Sequence, residues 1–282
     1  MTTQRKSIGN EQFFTQHETA ERLSTFLQSQ PWFNQVTRII EPSAGDGAWL
    51  STLPVNIALD IEPQHEDVVK ADYFETEIAY QRGTLIVGNP PFGRMGSLAV
   101  KFFNRAAEQG DWIAFILPAS FGKVTLQRRL NKKFHLVHQE ELLDERFRFE
   151  REGKVVRCVF QVWERREHDR VDSKPRRTTP DFAFVPVRSP SVGAAAPAPL
   201  NADIAVRTHG HGYGKVIMRN DEKWCDLNTR THRFIKSNIN VTTLVERLNN
   251  LDWNSAGRFT VGQSCVSTEE IVGLYETAHP TN

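Results

Sequence analysis

An amide, two prolines and an aromatic ring follow one another directly after the apolar run 84–88. They are Asn89, Pro90, Pro91 and Phe92, called the tetrad below. The Asn89 side-chain oxygen can accept one N–H of a planar amino group while the Pro90 carbonyl accepts the other, which localises the nitrogen lone pair. Tandem prolines hold these acceptors still, and Phe92 offers a face for stacking. The tetrad predicts chemistry on a planar amine such as adenine N6, with a proline-rich strand exit as the alternative.

A glycine-bearing turn precedes the tetrad in the chain. The segment 38–40 reads as a short buried strand and leads into residues 41–50, which contain Gly45 and Gly47. Glycines let a backbone approach a ligand closely. This spacing lacks the third glycine of a dinucleotide fingerprint, so on its own it is a weak indication of a nucleotide-type loop.

Two acidic residues follow the next strand-like segments. Asp60 ends the run 55–59, near the offset of roughly 20 residues at which a carboxylate can hold ribose hydroxyls, although a strand-end turn would also explain it. Asp72 precedes Tyr73 and Phe74, so a carboxylate and a ring there could hold an adenine. Placed at strand ends of one sheet, these residues converge at its carboxyl edge.

The order of these segments resembles the class I S-adenosylmethionine-dependent methyltransferases, specifically the adenine-N6 methyltransferases in which donor-binding motifs precede the catalytic one. The resemblance covers roughly residues 11–165. It implies an α/β, Rossmann-like fold with a mostly parallel seven-stranded sheet and an antiparallel edge hairpin. A small C-terminal α+β region is expected after it.

The resemblance also implies roles for individual residues. The catalytic residues would be Asn89, Pro90, Pro91 and Phe92. The donor, S-adenosylmethionine, would be held by Phe13, Thr15, Glu41, Ser43, Gly45, Gly47, Asp60, Ile61, Asp72 and Tyr73. The family commonly has a proline after the threonine at position 15, where this chain has Gln16.

Basic residues near the tetrad are candidate contacts for a nucleic-acid backbone. Arg94 stands two residues beyond the tetrad in a glycine-containing stretch. The segment 122–133 contains Lys123 and Arg128 and is expected to be helical, with Ser120 as its N-cap. These side chains could contact phosphates, and a solvated helix face is the equal alternative.

Composition sets the class of protein expected. The chain has 282 residues, 39% of them hydrophobic, and no apolar stretch approaches the roughly 18 residues of a membrane span. A soluble, cytoplasmic protein is expected. The three cysteines show no metal-ligand spacing, so neither a metal nor a disulfide is expected. The net charge of +1 means that nucleic-acid binding must come from local clusters.

Three parts of the chain are expected. Residues 1–165 would form the catalytic domain, residues 166–200 a linker rich in Pro, Ala and Arg, and residues 201–282 a small substrate-recognition region. Short strands and two helices are expected in the last part, over 204–206, 216–218, 232–235, 242–250 and 267–275. Ser267 and Glu270 have the spacing of a capping box.

Together these patterns predict an adenine-N6 methyltransferase that uses S-adenosylmethionine and acts on nucleic acid, DNA in preference to RNA. The same tetrad would serve RNA adenine methylation, or methylation of a glutamine amide in a protein. A different class is a donor-binding partner subunit without turnover, which the intact tetrad argues against.

Overall fold

The computed structural model describes residues 13–142, 148–149, 157–171, 178–187, 198–257 and 265–280. The chain divides into two compact units, Met1–Asp172 and Ser173–Asn282. The strands of the first unit are β1 (Phe13–Phe14), β2 (Arg38–Glu41), β3 (Ile57–Asp60), β4 (Val69–Lys70), β5 (Thr84–Gly88), β6 (Trp112–Pro118), β7 (Phe134–Leu142), β8 (Arg148–Phe149) and β9 (Cys158–Arg165). Its α-helices are α1 (His17–Ser29), α2 (Ser97–Ala106) and α3 (Val124–Gln127).

The first unit is built on a seven-stranded sheet with the strand order β4-β3-β2-β5-β6-β9-β7. The strands β4, β3, β2, β5 and β6 are mutually parallel, and β9 runs antiparallel to both β6 and β7. This arrangement confirms the predicted mostly parallel sheet with an antiparallel edge hairpin.

The buried strands at the centre of this sheet determine where its carboxyl edge lies. Every residue of β5 and of β6 is buried, as expected for strands covered on both faces in a parallel sheet. Helix α1 turns Leu23 and Leu27 into the core, four residues apart on one face. Because β2, β3 and β5 run in one direction, the segments that follow them emerge together at one edge.

The second unit is a small α+β assembly, as predicted. Its strands are β10 (Thr178–Thr179), β11 (Phe182–Phe184), β12 (Ile204–Arg207), β13 (Val216–Met218) and β14 (His232–Ser237), and its helices are α4 (Val241–Asn249), α5 (Trp253–Gly257) and α6 (Thr268–Ala278). The strands form an antiparallel sheet with the order β10-β11-β14-β12-β13. Leu244 of α4 and Ile271 of α6 share a buried cluster with Phe182 of the sheet.

Helix α6 begins with the capping box that the sequence predicted. The Ser267 hydroxyl accepts the Glu270 N–H at 3.2 Å, and the Glu270 carboxylate accepts the Ser267 N–H at 2.8 Å. Two N–H groups at the helix start are thereby paired.

The expected linker, residues 166–200, is structured in two of its described parts. Residues 166–171 belong to the first unit, where the Arg170 guanidinium donates to the carbonyls of Gln127 and Phe134 and lies 5.2 Å from the centre of the Trp163 ring. Strands β10 and β11 belong to the sheet of the second unit. The polar, proline-bearing composition predicted a linker or a long, partly ordered excursion. The hydrogen bonds of Arg170 to the carbonyls of Gln127 and Phe134 show that its part of the segment packs on the first unit.

The basic segment 122–133 is not a full helix, so that expectation was wrong. Only Val124–Gln127 are α-helical, with Lys123 at the N-cap position, and Ser120 lies in the preceding 3-10 turn Ala119–Gly122. The Gln127 carbonyl accepts from Arg170 at 2.8 Å. The Leu130 N–H also donates to the Gln127 carbonyl, at 3.1 Å, so the chain leaves the helix through a three-residue turn.

Candidate active site

The carboxyl ends of β2, β3 and β5 open into a cavity of about 880 Å³. This volume is in the range of small-molecule sites. Thirteen of the residues predicted from the sequence line it: Thr15, Glu41, Ser43, Gly45, Asp60, Ile61, Asp72, Tyr73, Asn89, Pro90, Pro91, Phe92 and Arg94. The fold therefore brings the turn, the two acidic segments and the tetrad to one place.

Four predicted residues are not among those lining the cavity. Gly47, Lys123 and Arg128 lie outside its lining. The Phe13 side chain falls outside the described residues, while its backbone pairs with Phe149 in the β1–β8 ladder. Gly47 has φ +78°, and a Cβ there would lie 2.8 Å from the His65 ring, so this glycine serves the shape of the turn.

The glycine turn is fastened to the end of β3 by Asp60. The Gly45 N–H donates to Asp60 Oδ2 at 2.8 Å, and the Glu62 N–H donates to Asp60 Oδ1 at 2.8 Å. Gly45 has φ +51°, and a Cβ there would meet the Phe14 ring at 3.0 Å. The carboxylate is thus fixed in place, and each of its oxygens keeps a further lone pair for a ligand hydroxyl.

A buried carboxyl group lies at the end of β2. Glu41 is 1% exposed, and among the described residues its Oε2 has no hydrogen-bond partner. Burial raises the pKa of Glu41 well above its ordinary value, and the negative charges of Asp46 and Asp60 raise it further. The Ser43 hydroxyl is also buried and has no hydrogen-bond partner among the described residues. These polar atoms suit a polar or cationic group of a ligand.

The two aromatic rings that follow β4 differ in their exposure to solvent. Tyr73 is 2% exposed, donates its hydroxyl to Gln109 Oε1 at 2.5 Å and stacks on Phe102 at 5.4 Å. Phe74 is 37% exposed, and its N–H donates to Asp72 Oδ1 at 2.8 Å. Both residues line the cavity, and of the two rings Phe74 has the accessible face.

The tetrad leaves β5 through a glycine. Gly88 has φ +148°, and a Cβ on it would lie 3.6 Å from Glu41 Cγ. At the other end, the Phe92 carbonyl accepts the N–H groups of Leu98 at 3.2 Å and Ala99 at 3.3 Å, which ties the tetrad to the start of α2. The half-buried Asn89 is therefore held between a strand and a helix.

Phe74, which the sequence offered beside Tyr73 as a ring for an adenine, lines the cavity. Several lining residues were not among the predicted site residues: Phe14, Pro42, Ala44, Asp46, Ala48, Trp49, Ala71, Gly93, Leu98 and Phe102. Most are chain neighbours of a predicted residue, so strand-end position was the available signal for them. Phe102 is different. It lies in α2, where its spacing fits a core face as well as a site.

The sequence matches no protein-family model and no curated protein. Among solved structures it is similar to a proposed RNA methyltransferase from Pyrococcus horikoshii, with 17% identity over 57% of this chain and 90% of that one and a TM-score of 0.43. It is similar to the 23S rRNA methyltransferase ErmE, with 15% identity, 57% and 73% coverage and a TM-score of 0.39. A proposed class I S-adenosylmethionine-dependent methyltransferase from Listeria monocytogenes gives 12% identity, 62% and 66% coverage and a TM-score of 0.41.

The observed strand order is the mostly parallel seven-stranded arrangement expected of a class I methyltransferase. Among the described residues, no cluster of His, Cys, Asp or Glu could hold a metal ion. None of the helices in the described ranges has both the length and the apolar character that crossing a membrane requires.

Proposed function

We propose that this protein is an adenine-N6 methyltransferase that uses S-adenosylmethionine and acts on DNA. The observation that carries the proposal is the shared cavity: Asn89 and Phe92 line the same space as Gly45 and Asp60. A methyl donor and a planar amine must meet within a few ångströms for transfer. One cavity lined by both sets of residues supports that meeting.

The donor side of the cavity fits S-adenosylmethionine. Asp60 has free lone pairs suited to ribose hydroxyls, and Asp72 with the accessible ring of Phe74 suits the adenine. Glu41 suits the ammonium group, because a cation would pair with the buried Oε2 atom, which has no hydrogen-bond partner among the described residues. When bound, S-adenosylmethionine supplies a methyl group on a cationic sulfur.

The tetrad side activates the acceptor. The Asn89 side-chain oxygen and the Pro90 carbonyl would each accept one N–H of the target amine, directing its lone pair away from the ring plane. Phe92 is 7% exposed and would contact the base at the inner wall of the cavity. The ammonium formed after transfer is acidic enough to release its proton to water, so the chemistry requires no strong base.

DNA is proposed as the polymer from the sequence interpretation, and an assay decides between it and RNA. Binding of the donor is measured by titration calorimetry, followed by transfer of a tritiated methyl group to a DNA pool and to an RNA pool. We expect donor binding and label in DNA.

The other outcomes of this assay are also decisive. Label in RNA alone would replace DNA by RNA. Donor binding without label in either pool would indicate a binding subunit or a protein acceptor, and absence of donor binding would contradict the proposal as a whole.

A further inference from the structure

The loop after the tetrad presents an apolar side chain at the cavity rim. Gly93 and Arg94 line the cavity, and Met95, next in the chain, is 82% exposed. Met95 has φ 54° and ψ 34°, and it is the one non-glycine residue with positive φ among the described ranges. A left-handed backbone is unfavourable for a residue with a side chain and persists where the surroundings impose it.

Two glycines hold this loop against the layer beneath it. Gly93 has φ +66°, and a Cβ there would lie 2.7 Å from Leu98 Cβ. Gly96 has φ +70°, and a Cβ there would lie 2.9 Å from Phe121 Cε2. The Gly96 N–H donates to the Gly93 carbonyl at 3.2 Å. The Cβ positions of both glycines face the layer beneath, and Met95 between them is exposed to solvent.

The chemistry around Met95 suits a nucleic acid. Arg94 is exposed beside it. A Cβ on Gly96 would lie 3.7 Å from Leu126 Cδ1. Leu126 of the basic segment 122–133 therefore lies against the base of the loop. Cations of this kind contact phosphates. An exposed methionine beside them matches the apolar side chains that proteins insert between stacked bases.

A methyltransferase that acts on a base in a duplex has to extract that base from the stack, at a cost of a few kcal/mol, and a gap is left behind. We propose that Met95 enters the base stack of duplex DNA and occupies the space left by the extracted adenine, with Arg94 on a neighbouring phosphate. Methionine is unbranched and polarisable, so it can fill an irregular gap between aromatic rings. This inference rests on the proposed function and adds a positioning residue to it.

The first test compares duplex with single-stranded DNA of the same sequences, because a single strand has little stacking to replace. The variants are Met95→Ala, Met95→Gly, which suits the left-handed backbone and keeps the fold, and Met95→Leu, which keeps the apolar length. Val171→Ala is the control, since Val171 is 92% exposed in the same unit. The measured quantity is kcat/KM for methyl transfer.

We expect Met95→Ala and Met95→Gly to lower kcat/KM on duplex DNA by about tenfold or more and to leave the single-strand value within about twofold, consistent with the cost of extracting a base. Met95→Leu should stay near the parent protein, and Val171→Ala should change neither value. An equal loss on both substrates, or no loss on either, would overturn the inference.

A second readout does not depend on methyl transfer. Permanganate oxidises unpaired thymines, so it reports extraction of the adenine opposite them in a complex of protein, duplex DNA and S-adenosylhomocysteine. We expect reactive thymines with the parent protein and their loss with Met95→Ala at unchanged duplex affinity.

The two readouts separate the two hypotheses. Thymine reactivity that depends on Met95, without any methyl transfer, would reject the proposed function and keep the inserting role. Methyl transfer with neither readout dependent on Met95 would reject the inserting role and keep the function. Absence of thymine reactivity with the parent protein also contradicts the inserting role.

Discussion

The two sides of the cavity are built differently. On the donor side, Asp60 pairs with two backbone N–H groups, Glu41 is buried, and the Tyr73 hydroxyl is bonded to Gln109. On the acceptor side, the loop from Gly93 to Gly96 is largely exposed and has positive φ at three of its residues. A donor of constant structure can be met by a fixed site, whereas a polymer has to enter and leave past an accessible rim.

The largest effect is expected on the acceptor side. Asn89→Ala removes one of the two N–H acceptors, and loss of one such group lowers kcat by about a hundredfold to a thousandfold. The donor Kd should change less than about twofold, because the substitution leaves the Asp60 and Gly45 contacts in place. Titration calorimetry and tritium transfer measure the two quantities. Equal losses of kcat and of donor affinity would show that the donor and acceptor sides of the cavity do not act independently.

The next effect belongs to the glycine turn. Gly45→Ala introduces a Cβ at 3.0 Å from the Phe14 ring on a left-handed backbone, so the turn has to shift. We expect the donor Kd to rise by about tenfold, equivalent to about 1.4 kcal/mol. The matched control is Gly273→Ala in α6, where a Cβ meets nothing within 4 Å and helix propensity adds up to about 1 kcal/mol of stability. Unchanged donor binding by Gly45→Ala would contradict a fixed donor side.

A smaller effect is expected from Asp60→Asn. The amide can keep one backbone hydrogen bond but loses the negative charge and the second charge-assisted bond. The free energy of unfolding should fall by about 1 to 2 kcal/mol, measured in urea. The donor Kd should rise by a similar factor to that of Gly45→Ala. Full donor affinity in this variant would mean that Asp60 is a turn residue alone.

The smallest effect is a pH slope in stability caused by Glu41. Its pKa is raised in the folded chain, so the stability it contributes is complete below its ordinary value of 4.5 and is lost as the pH rises through the raised value. Glu41→Gln cannot ionise, so its melting temperature should exceed that of the parent protein by a margin that grows with pH above 4.5. Donor binding should weaken in the same variant. A difference in melting temperature that stays constant above pH 4.5 would contradict the raised pKa of Glu41.

Sequence patterns predicted the site residues that follow strand ends. The apolar runs before Glu41, Asp60 and Asn89 are strands, and residues that follow parallel strands meet at one edge wherever the sheet forms. Tyr73 and Phe74 show where this reasoning ends. Both rings follow β4, but only the folded core shows that Tyr73 faces Gln109 while Phe74 keeps an exposed face.

Contacts between distant segments explain the expectations that differ from the structure. Arg170 is 43 residues from Gln127, and its hydrogen bond to the Gln127 carbonyl holds part of the expected linker in the first unit. No local sequence pattern predicts that bond. The left-handed Met95 likewise depends on packing of the glycines beside it against Leu98 and Phe121.

The identity of the methylated nucleoside decides whether the protein transfers a methyl group to adenine N6. DNA is incubated with the protein and labelled donor, digested to nucleosides and separated by chromatography with mass detection. We predict label in N6-methyldeoxyadenosine with the parent protein and about a hundredfold or greater loss of that label with Asn89→Ala. Label in a cytosine nucleoside, label in protein alone, or equal label with both proteins would contradict it.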